Sequence, residues 1–246
     1  MDICDISKIE NIMLHKKNVF CEFLTCLHNS GLCDITVDFK NDSNFCFCRS
    51  SKDFGINDLF IYFDDEAYFL NILSRYADVN CITVIPKINY DLSFFIKTWK
   101  VTQRRQFTKD KSDGLKIYND LTELTTSHLK YIEKSTSETV KNNYAISMEF
   151  DDDCYAIIKD DALCCFASVS KVETLKLAEV NWIYTEPEYR YKGYATQLLS
   201  QVADKLISKG YTVTYHCACT NVASATTALR CGFEEVTEEI VMEREC

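Results

Sequence analysis

The C-terminal half of the chain has the clearest alternation of apolar and polar positions. Residues 178–185 are β-branched and aromatic enough to predict a buried strand, which Pro187 ends. Apolar residues then recur at helical spacing over residues 194–209, and Gly210 follows where a glycine C-cap is expected. Residues 211–219 alternate with period two and predict a second strand.

A short alanine-rich helix is predicted next, capped by Asn221 and ending at Cys231 and Gly232. The predicted order is therefore strand, helix, strand, helix. Upstream of this order, the pattern predicts a helical region at residues 118–135 and a β-hairpin formed by residues 155–158 and 163–169.

The N-terminal part repeats the alternation less cleanly. Its predicted elements are a helix near 19–29, strands at 33–40, 45–49 and 58–63, a helix at 66–77 and a strand at 81–86. The polar stretch 108–114 is the best candidate for a linker. These patterns predict an α/β fold with an N-terminal domain at 1–113 and a C-terminal domain at 114–246.

Composition narrows the class of protein. Of the 246 residues, 47% are hydrophobic and 26% are charged, as in globular proteins. This composition excludes wholesale disorder and a collagen-like repeat. The net charge of −10 makes nucleic acid a poor partner. The chain begins without a signal-like segment and has no run of 18 apolar residues, so we expect a cytoplasmic protein without membrane contact.

Cysteine and histidine usage gives no sign of a metal site. The fourteen cysteines lack C-x-x-C spacing, and the four histidines are scattered without an H-x-x-x-H pair. In a chain with no secretory signal we expect reduced thiols that act mainly as small core residues, and no bound metal.

The run from Thr185 to Ala195 carries the candidate chemistry. A loop that ends a strand and opens a helix presents unpaired backbone N–H groups and the positive end of the helix dipole, which suits a phosphate or pyrophosphate. Gly193 lets an anion approach the backbone. Arg190 and Lys192 add positive charge, although basic loop residues are often only solvated.

This run resembles the signature of the GCN5-related N-acetyltransferase (GNAT) family, which is Arg/Gln-x-x-Gly-x-Gly/Ala after a strand. The matching residues are Arg190, Gly193 and Ala195, and downstream Asn221, Ser224, Ala228, Gly232 and Phe233. The resemblance covers about residues 115–246. The Asn-x-x-Ser pattern and the extra N-terminal domain are most similar to the branch that includes zwittermicin-type self-resistance acetyltransferases.

The resemblance implies a GNAT fold with a mixed, splayed central sheet, preceded by a smaller α/β domain, and acetyl-coenzyme A in the cleft between two strands. The backbone of Ile183, Tyr184 and Thr185 would bind the pantetheine arm and polarise the thioester carbonyl. The implied pyrophosphate-binding amides are those of Arg190, Tyr191, Lys192, Gly193, Tyr194, Ala195 and Thr196. Asn221 is interpreted as a cofactor contact or as a plain helix cap, and these two roles are compatible.

The resemblance also implies direct attack of an amine on the thioester. Glu179 is the candidate base, directly or through water, and its alternative role is a strand-edge carboxylate in solvent. By strand alternation Asn181 and Ile183 share its face, so Asn181 is a candidate for orienting the substrate.

Many relatives carry a tyrosine seven residues after the asparagine, as general acid, but Ala228 stands there in this chain. No general acid is therefore assigned. Ser224 is kept as a candidate catalytic residue, with Tyr184, Tyr215 and His216 as further substitutes, each of which has a structural alternative.

Two further features allow more than one interpretation. A basic cluster, made of Lys97, Lys100, Arg104, Arg105, Lys109 and Lys111, either approaches the 3′-phosphate of coenzyme A or an acidic partner, or is a solvated face. The N-terminal domain lacks a glycine-rich turn and is either a degenerate copy of the same fold or a simple α/β alternation.

These observations predict an N-acetyltransferase that uses acetyl-coenzyme A on a small-molecule amine. The alternative is a catalytically inactive acyl-coenzyme A-binding protein of the same fold with a regulatory or interaction role, which the missing tyrosine favours.

Overall fold

The computed structural model describes residues 3–28, 33–53, 55–87, 99–112, 120–149 and 152–244. The chain forms two compact units, Met1–Gln106 with Val236–Cys246, and Phe107–Glu235. The domain boundary predicted between residues 113 and 114 lies outside the described residues. Among the helices of the described ranges, none has the length and apolar character needed to cross a membrane.

The first unit begins with two helices and continues as a sheet. Its elements are α1 (Ile3–His15), α2 (Cys21–His28), β1 (Asp34–Asn41), β2 (Asn44–Ser51), β3 (Ile56–Phe63), α3 (Glu66–Arg75), β4 (Cys81–Pro86), most of β5 (Trp99–Lys109) and most of β11 (Glu234–Arg244). The strand order is β1-β2-β3-β4-β11-β5. The first three strands are antiparallel, and β4 runs parallel to β3.

Aromatic side chains fill the core of the first unit. On one face of the sheet, rings from α2 and its approach pack on rings of β2 and β3, with Phe47 stacked on Phe60 at 4.6 Å between centroids. On the other face, Phe69 of α3 stacks on Phe63 at 4.4 Å. Both faces of this sheet are therefore covered by helices, as an α/β layer requires.

The second unit has the same kinds of element. They are β6 (Leu121–Glu123), a 3-10 turn (Thr126–His128), α4 (Leu129–Lys134), α5 (Glu138–Glu149), β7 (Asp153–Lys159), β8 (Ala162–Val172), β9 (Leu177–Thr185), a 3-10 turn (Pro187–Tyr189), α6 (Tyr194–Ser208), β10 (Thr212–Ala218) and α7 (Val222–Arg230). The strand order is β10-β9-β8-β7-β6. Strands β9 and β10 are parallel, and the other pairs are antiparallel.

Helices cover both faces of this second sheet. One core contains Val180 of β9 with Leu199 of α6 and Ala228 of α7. The other contains Phe166 of β8 with Tyr144 of α5, together with residues of α4. The strand β9 therefore has one face towards α6 and α7 and another towards α4 and α5. We call these the α6–α7 face and the α4–α5 face.

The two units share one topology. Each runs helix, helix, three antiparallel strands, helix, and a fourth strand parallel to the third: α1-α2-β1-β2-β3-α3-β4 in the first and α4-α5-β7-β8-β9-α6-β10 in the second. The mixed α/β fold expected from the sequence is confirmed.

Several sequence predictions of individual elements need correction. The helical region predicted at 118–135 is wrong over its first half, since β6 and a 3-10 turn precede α4. The helices α1 and α5 and the strands β5 and β11 were not predicted. The hairpin β7–β8 and the series β9, α6, β10, α7 are confirmed, with ends shifted by at most three residues.

Candidate active site

The strands β9 and β10 separate along their length. Their parallel pairing covers four residue pairs, from Leu177 with Thr212 to Val180 with Tyr215. At the same point β9 bulges on its other side, because Val169 pairs with Val180 and Ser168 with Trp182. Asn181 is the extra residue of this bulge, which bends the strand and ends regular pairing. The separation opens a cleft between the two strands.

The cleft has a volume of about 740 Å³ and is bordered by β9, the loop before α6, Tyr215 of β10, and the region of α7. Its lining residues are Ile183, Tyr184, Thr185, Arg190, Tyr191, Gly193, Ala195, Thr196, Tyr215, Asn221, Ala223, Ser224, Thr226, Thr227 and Arg230. Nine of the eleven predicted cofactor-binding residues thus meet in one space. The other two, Lys192 and Tyr194, contact Tyr189 instead.

The N-terminus of α6 faces this cleft without a side-chain cap. Gly193 is the N-cap with φ of +83°, and as a glycine it provides no side-chain cap for the first amides of the helix. The amide of Gln197 bonds to the carbonyl of Gly193, so the amides before Gln197 are the ones that helix geometry leaves without an intrahelical partner. A Cβ on Gly193 would meet no protein atom within 4 Å. Within the chain, glycine is required there by backbone conformation alone.

Arg190 secures the end of β9. Its Nε donates to the carbonyl of Thr185 at 3.1 Å, and its Nη2 donates to the hydroxyl of Tyr184 at 3.3 Å. Its guanidinium also lies 5.5 Å from the centre of the Tyr184 ring. The side chain therefore fixes the strand end and the loop together, in addition to placing a positive charge at the cleft.

Asn221 and its neighbours form the opposite wall. The Oδ1 of Asn221 accepts the amide of Ser224 at 3.1 Å, which is a regular N-cap. The hydroxyls of Tyr215 and Ser224 lie 2.5 Å apart. Burial raises the pKa of Tyr215. Ala228 is fully buried in the α6–α7 core, so the position expected for an acid offers no group to the cleft.

Glu179 and Asn181 lie on the α4–α5 face of β9 and do not line the cleft described above. Glu179 pairs with Ser170, and the hydroxyl of Ser170 reaches Oδ1 of Asn181 at 3.4 Å, so the two side chains share one face as predicted. The prediction that Ile183 shares it is wrong. The bulge at Asn181 turns Ile183 to the α6–α7 face, where it packs against the core that contains Val180.

Two partners of these residues were missed or left unassigned by sequence reasoning. Nδ1 of His216 lies 3.0 Å from Oε1 of Glu179, and both side chains are mostly buried. Nδ2 of Asn181 donates to Oδ2 of Asp152 at 3.2 Å. The position of His216 could have been predicted from strand alternation. Thr214 pairs with Glu179, and His216 lies two residues further along β10 on the same face.

A buried carboxylate lies next to the end of β9. Glu186 is almost fully buried and accepts hydrogen bonds from the hydroxyls of Ser135 and Thr136, the latter at 3.2 Å. Its own amide bonds to the carbonyl of Cys164. The segment between α4 and α5 is thereby tied to the strand end that borders the cleft.

Part of the basic cluster is held by contacts inside the protein. Lys97 lies outside the described residues. The contacts of three others are internal: Lys100 with Glu243, Arg104 with Glu22 and Glu239, and Lys109 with the carbonyl of Cys231. These pairings contradict a solvated face for Arg104 and Lys109, which are structural. The cysteines seen in the described ranges are free thiols, and most of them are buried.

Known proteins resemble this chain in sequence and in fold. The profile of the acetyltransferase (GNAT) family matches residues 116–233. A comparison with curated sequences gives no significant match.

Solved structures share the fold over nearly the whole chain. An acetyltransferase of the GNAT family from Colwellia psychrerythraea has a TM-score of 0.57 and 13% identity, covering 96% of this chain and 97% of its own. A GCN5-related N-acetyltransferase-like protein from Streptococcus suis has a TM-score of 0.54 and 16% identity, covering 96% and 100%. A tandem GNAT protein from the clavulanic acid biosynthesis pathway has a TM-score of 0.50 and 12% identity, covering 96% and 94%.

Proposed function

Because residues 116–233 of this chain belong to the GNAT acetyltransferase family, we propose that it transfers an acetyl group from acetyl-coenzyme A to the amino group of a small molecule. The observation that carries the proposal is the uncapped N-terminus of α6, which opens on the cleft where β9 and β10 separate. Free, mostly buried thiols are consistent with a reducing compartment, so we place the activity in the cytoplasm.

The cleft fits the two chemical parts of coenzyme A. A helix start with unpartnered amides and no side-chain cap binds a pyrophosphate through the amides of residues 191–196. The amide of Arg190, which the resemblance also implies, already donates to the carbonyl of Pro187 at 3.3 Å. The unpaired edge of β9 at Ile183, Tyr184 and Thr185 offers backbone groups to the amides of the pantetheine arm. Asn221 caps α7 with its oxygen and keeps its amide nitrogen as a donor towards the cleft.

The acceptor amine approaches from the α4–α5 face of β9. An amine is protonated near neutral pH and must lose a proton before it attacks a carbonyl carbon. Glu179 accepts that proton, directly or through a water molecule, and His216 holds its carboxylate in place. Asn181, fixed by Asp152 and Ser170, orients the acceptor.

Backbone N–H groups at the bulged part of β9 stabilise the oxyanion that forms on attack. Fixed donors of this kind act without reorganisation when charge develops. The bulge at Asn181 frees them from the sheet ladder. The acetyl group ends on nitrogen, and coenzyme A leaves through sulfur.

We further propose that the first unit is a copy of the same fold that has lost its cofactor site. Its topology repeats that of the second unit. However, β3 and β4 stay paired through six residues, from Asp58 with Cys81 to Phe63 with Pro86. The N-terminus of α3 is closed by Asp65, whose carboxylate accepts the amides of Ala67 and Tyr68. A tandem arrangement is also named for the clavulanic acid pathway relative.

Thermal unfolding with acetyl-coenzyme A, followed by an amine panel, tests the proposed function. At about a hundred times the dissociation constant, the ligand adds about 2.7 kcal/mol to the free energy of unfolding. Acetylated products are detected by mass spectrometry, because fourteen cysteines would interfere with thiol detection. Binding with turnover of an amine supports the proposal. Binding without turnover over the whole panel would instead support the inactive acyl-coenzyme A-binding alternative, and no binding would contradict both.

A further inference from the structure

Two hydroxyl groups form a close pair on the cleft wall. The Tyr215 hydroxyl, from β10, and the Ser224 hydroxyl, from the first turn of α7, lie 2.5 Å apart, and both residues line the cleft. Tyr215 is 6% exposed, whereas Ser224 is partly open. The cap that Asn221 makes to the amide of Ser224 fixes the backbone from which this hydroxyl projects.

Other hydroxyls of the cleft have different contacts. Thr226 and Thr227 donate to the carbonyls of the preceding helical turn, at 2.7 Å and 2.9 Å. Thr185 lies 3.2 Å from the thiol of Cys165, and the Tyr184 hydroxyl accepts from Arg190. Ser224 therefore differs from these four in having a second hydroxyl, the buried phenol of Tyr215, as its partner.

Either hydroxyl of the pair can donate to the other across 2.5 Å. We assign the donor role to Tyr215, because a phenol is more acidic than an aliphatic hydroxyl, and this leaves the hydrogen of Ser224 for another acceptor. The groups near the Tyr215 ring include the thiols of Cys165, Cys217 and Cys231. Burial raises the pKa of Cys165 to about 12, and it raises that of Tyr215 as well, so both stay protonated at neutral pH.

We infer that Ser224 donates a hydrogen bond to the leaving sulfur of the thioester and that Tyr215 is the positioning residue that directs and polarises this donor. The inference rests on the proposed function. When the tetrahedral intermediate collapses, the C–S bond breaks and its electron pair stays on sulfur. Ser224 stabilises that thiolate, which takes its proton from water after release, while the amine proton passes through Glu179 to solvent.

The polarising effect follows from cooperativity. A hydroxyl that accepts a hydrogen bond becomes a stronger donor in a medium of low dielectric constant. A hydrogen bond to a charged acceptor is about twice as strong as one between neutral groups. The Tyr215–Ser224 pair therefore supplies, from two different elements, what Ala228 cannot supply from α7.

Kinetics of Ser224→Ala and Tyr215→Phe test the inference. With acetyl-coenzyme A and the amine that the wild-type chain acetylates, we expect kcat to fall about 10- to 100-fold in Ser224→Ala and less in Tyr215→Phe. The double variant should match Ser224→Ala, because Tyr215 acts through Ser224. Ser224→Thr, which keeps the hydroxyl, should retain most of the rate. Coenzyme A affinity and Tm report whether the fold and site survive.

The acidity of the leaving thiol separates chemistry from a structural role. The kcat/KM deficit of Ser224→Ala should be large with the acetyl thioester of N-acetylcysteamine and close to absent with that of 4-nitrothiophenol, a far better leaving group. Tyr211→Phe and Ser208→Ala are matched controls, because their hydroxyls bond to Glu173 and to the carbonyl of Lys205 away from the cleft.

The outcomes separate the two claims. A wild-type chain that acetylates no amine would overturn the inference together with the function on which it rests. An active wild type with equal deficits for both thioesters, or with a Ser224→Ala rate like that of the controls, would overturn the inference alone.

Discussion

A single inserted residue sets the chemistry of β9. Without the bulge at Asn181, strict alternation would place Glu179 and Ile183 on one face of the strand. With it, Glu179 and Asn181 face the α4–α5 side, whereas Ile183 packs in the α6–α7 core. The groups that we propose for the acceptor and for the cofactor thereby come from one strand but lie on different sides of it. No sequence pattern marks this bulge, because residues 178–185 contain neither glycine nor proline.

Removing the carboxylate of Glu179 should slow the reaction without affecting cofactor binding. For Glu179→Gln we expect kcat to fall by about 10²- to 10⁴-fold, the usual contribution of general base catalysis. The activity of the variant should keep rising with pH as the free amine fraction increases, whereas the wild-type rate levels off earlier. Rates from pH 6 to 10, with coenzyme A affinity measured alongside, check this.

Glu173→Gln is the matched control for that variant. Its carboxylate lies at the β8–β9 turn, where it pairs with Tyr211 and Lys176. It should leave the pH profile unchanged. Identical profiles for Glu179→Gln and the wild type would remove Glu179 as the base.

At the scale of elements, the two equivalent helix starts differ in what fills them. In α3, Asp65 accepts the first amides, and Lys40 lowers the pKa of its carboxyl by hydrogen bonding. In α6, Gly193 leaves the equivalent amides without a side-chain partner. One helix start thus contains its own anion, whereas the other is free to bind one from solution.

Asn221 belongs to an element boundary, and two substitutions separate its roles. Asn221→Ala removes the cap and should cost about 1 kcal/mol of stability. Asn221→Asp keeps the capping oxygen but replaces the amide donor with negative charge at the cleft, so its Tm should be near wild type while its affinity for acetyl-coenzyme A falls. Differential scanning calorimetry and titration measure the two effects. Unchanged affinity in both variants would reduce Asn221 to a cap.

The sequence predicted best the elements that are determined by nearby residues. The helix α6 has a continuous apolar stripe and a glycine at each end, and its bounds were predicted to within one residue. The strand β11 was missed because its first half is acidic and exposed. Its one buried acid, Glu239, is neutralised by Arg104 at 3.0 Å, a partner 135 positions away. Such long-range charge pairing leaves no periodic signal in the sequence.

The location of the site could be predicted from the sequence, but the side-chain contacts within it could not. The loop from Arg190 to Thr196 follows a local motif, and most of it lines the cleft. The contact between Glu179 and His216 and that between Tyr215 and Ser224 depend on the register of β9 with β10 and on the packing of α7. Both are set by contacts between segments that are distant in sequence, so only the folded structure shows them.

At the scale of the whole molecule, the described residues contain one topology twice, and the proposed cofactor cleft belongs to the second copy. In the first unit, six pairs between β3 and β4 close the space that four pairs between β9 and β10 leave open in the second. The account therefore predicts one acetyl-coenzyme A per chain, held only by the second unit.

Isothermal titration calorimetry with acetyl-coenzyme A tests this central claim most directly. We predict one site per chain, lost in Gly193→Glu, which places a carboxylate among the amides of the α6 start. Binding should persist in Gly210→Ala, a control with the same strained backbone, at φ of +84°, outside the cleft. Two sites per chain, or unchanged binding in a folded Gly193→Glu chain, would contradict the account.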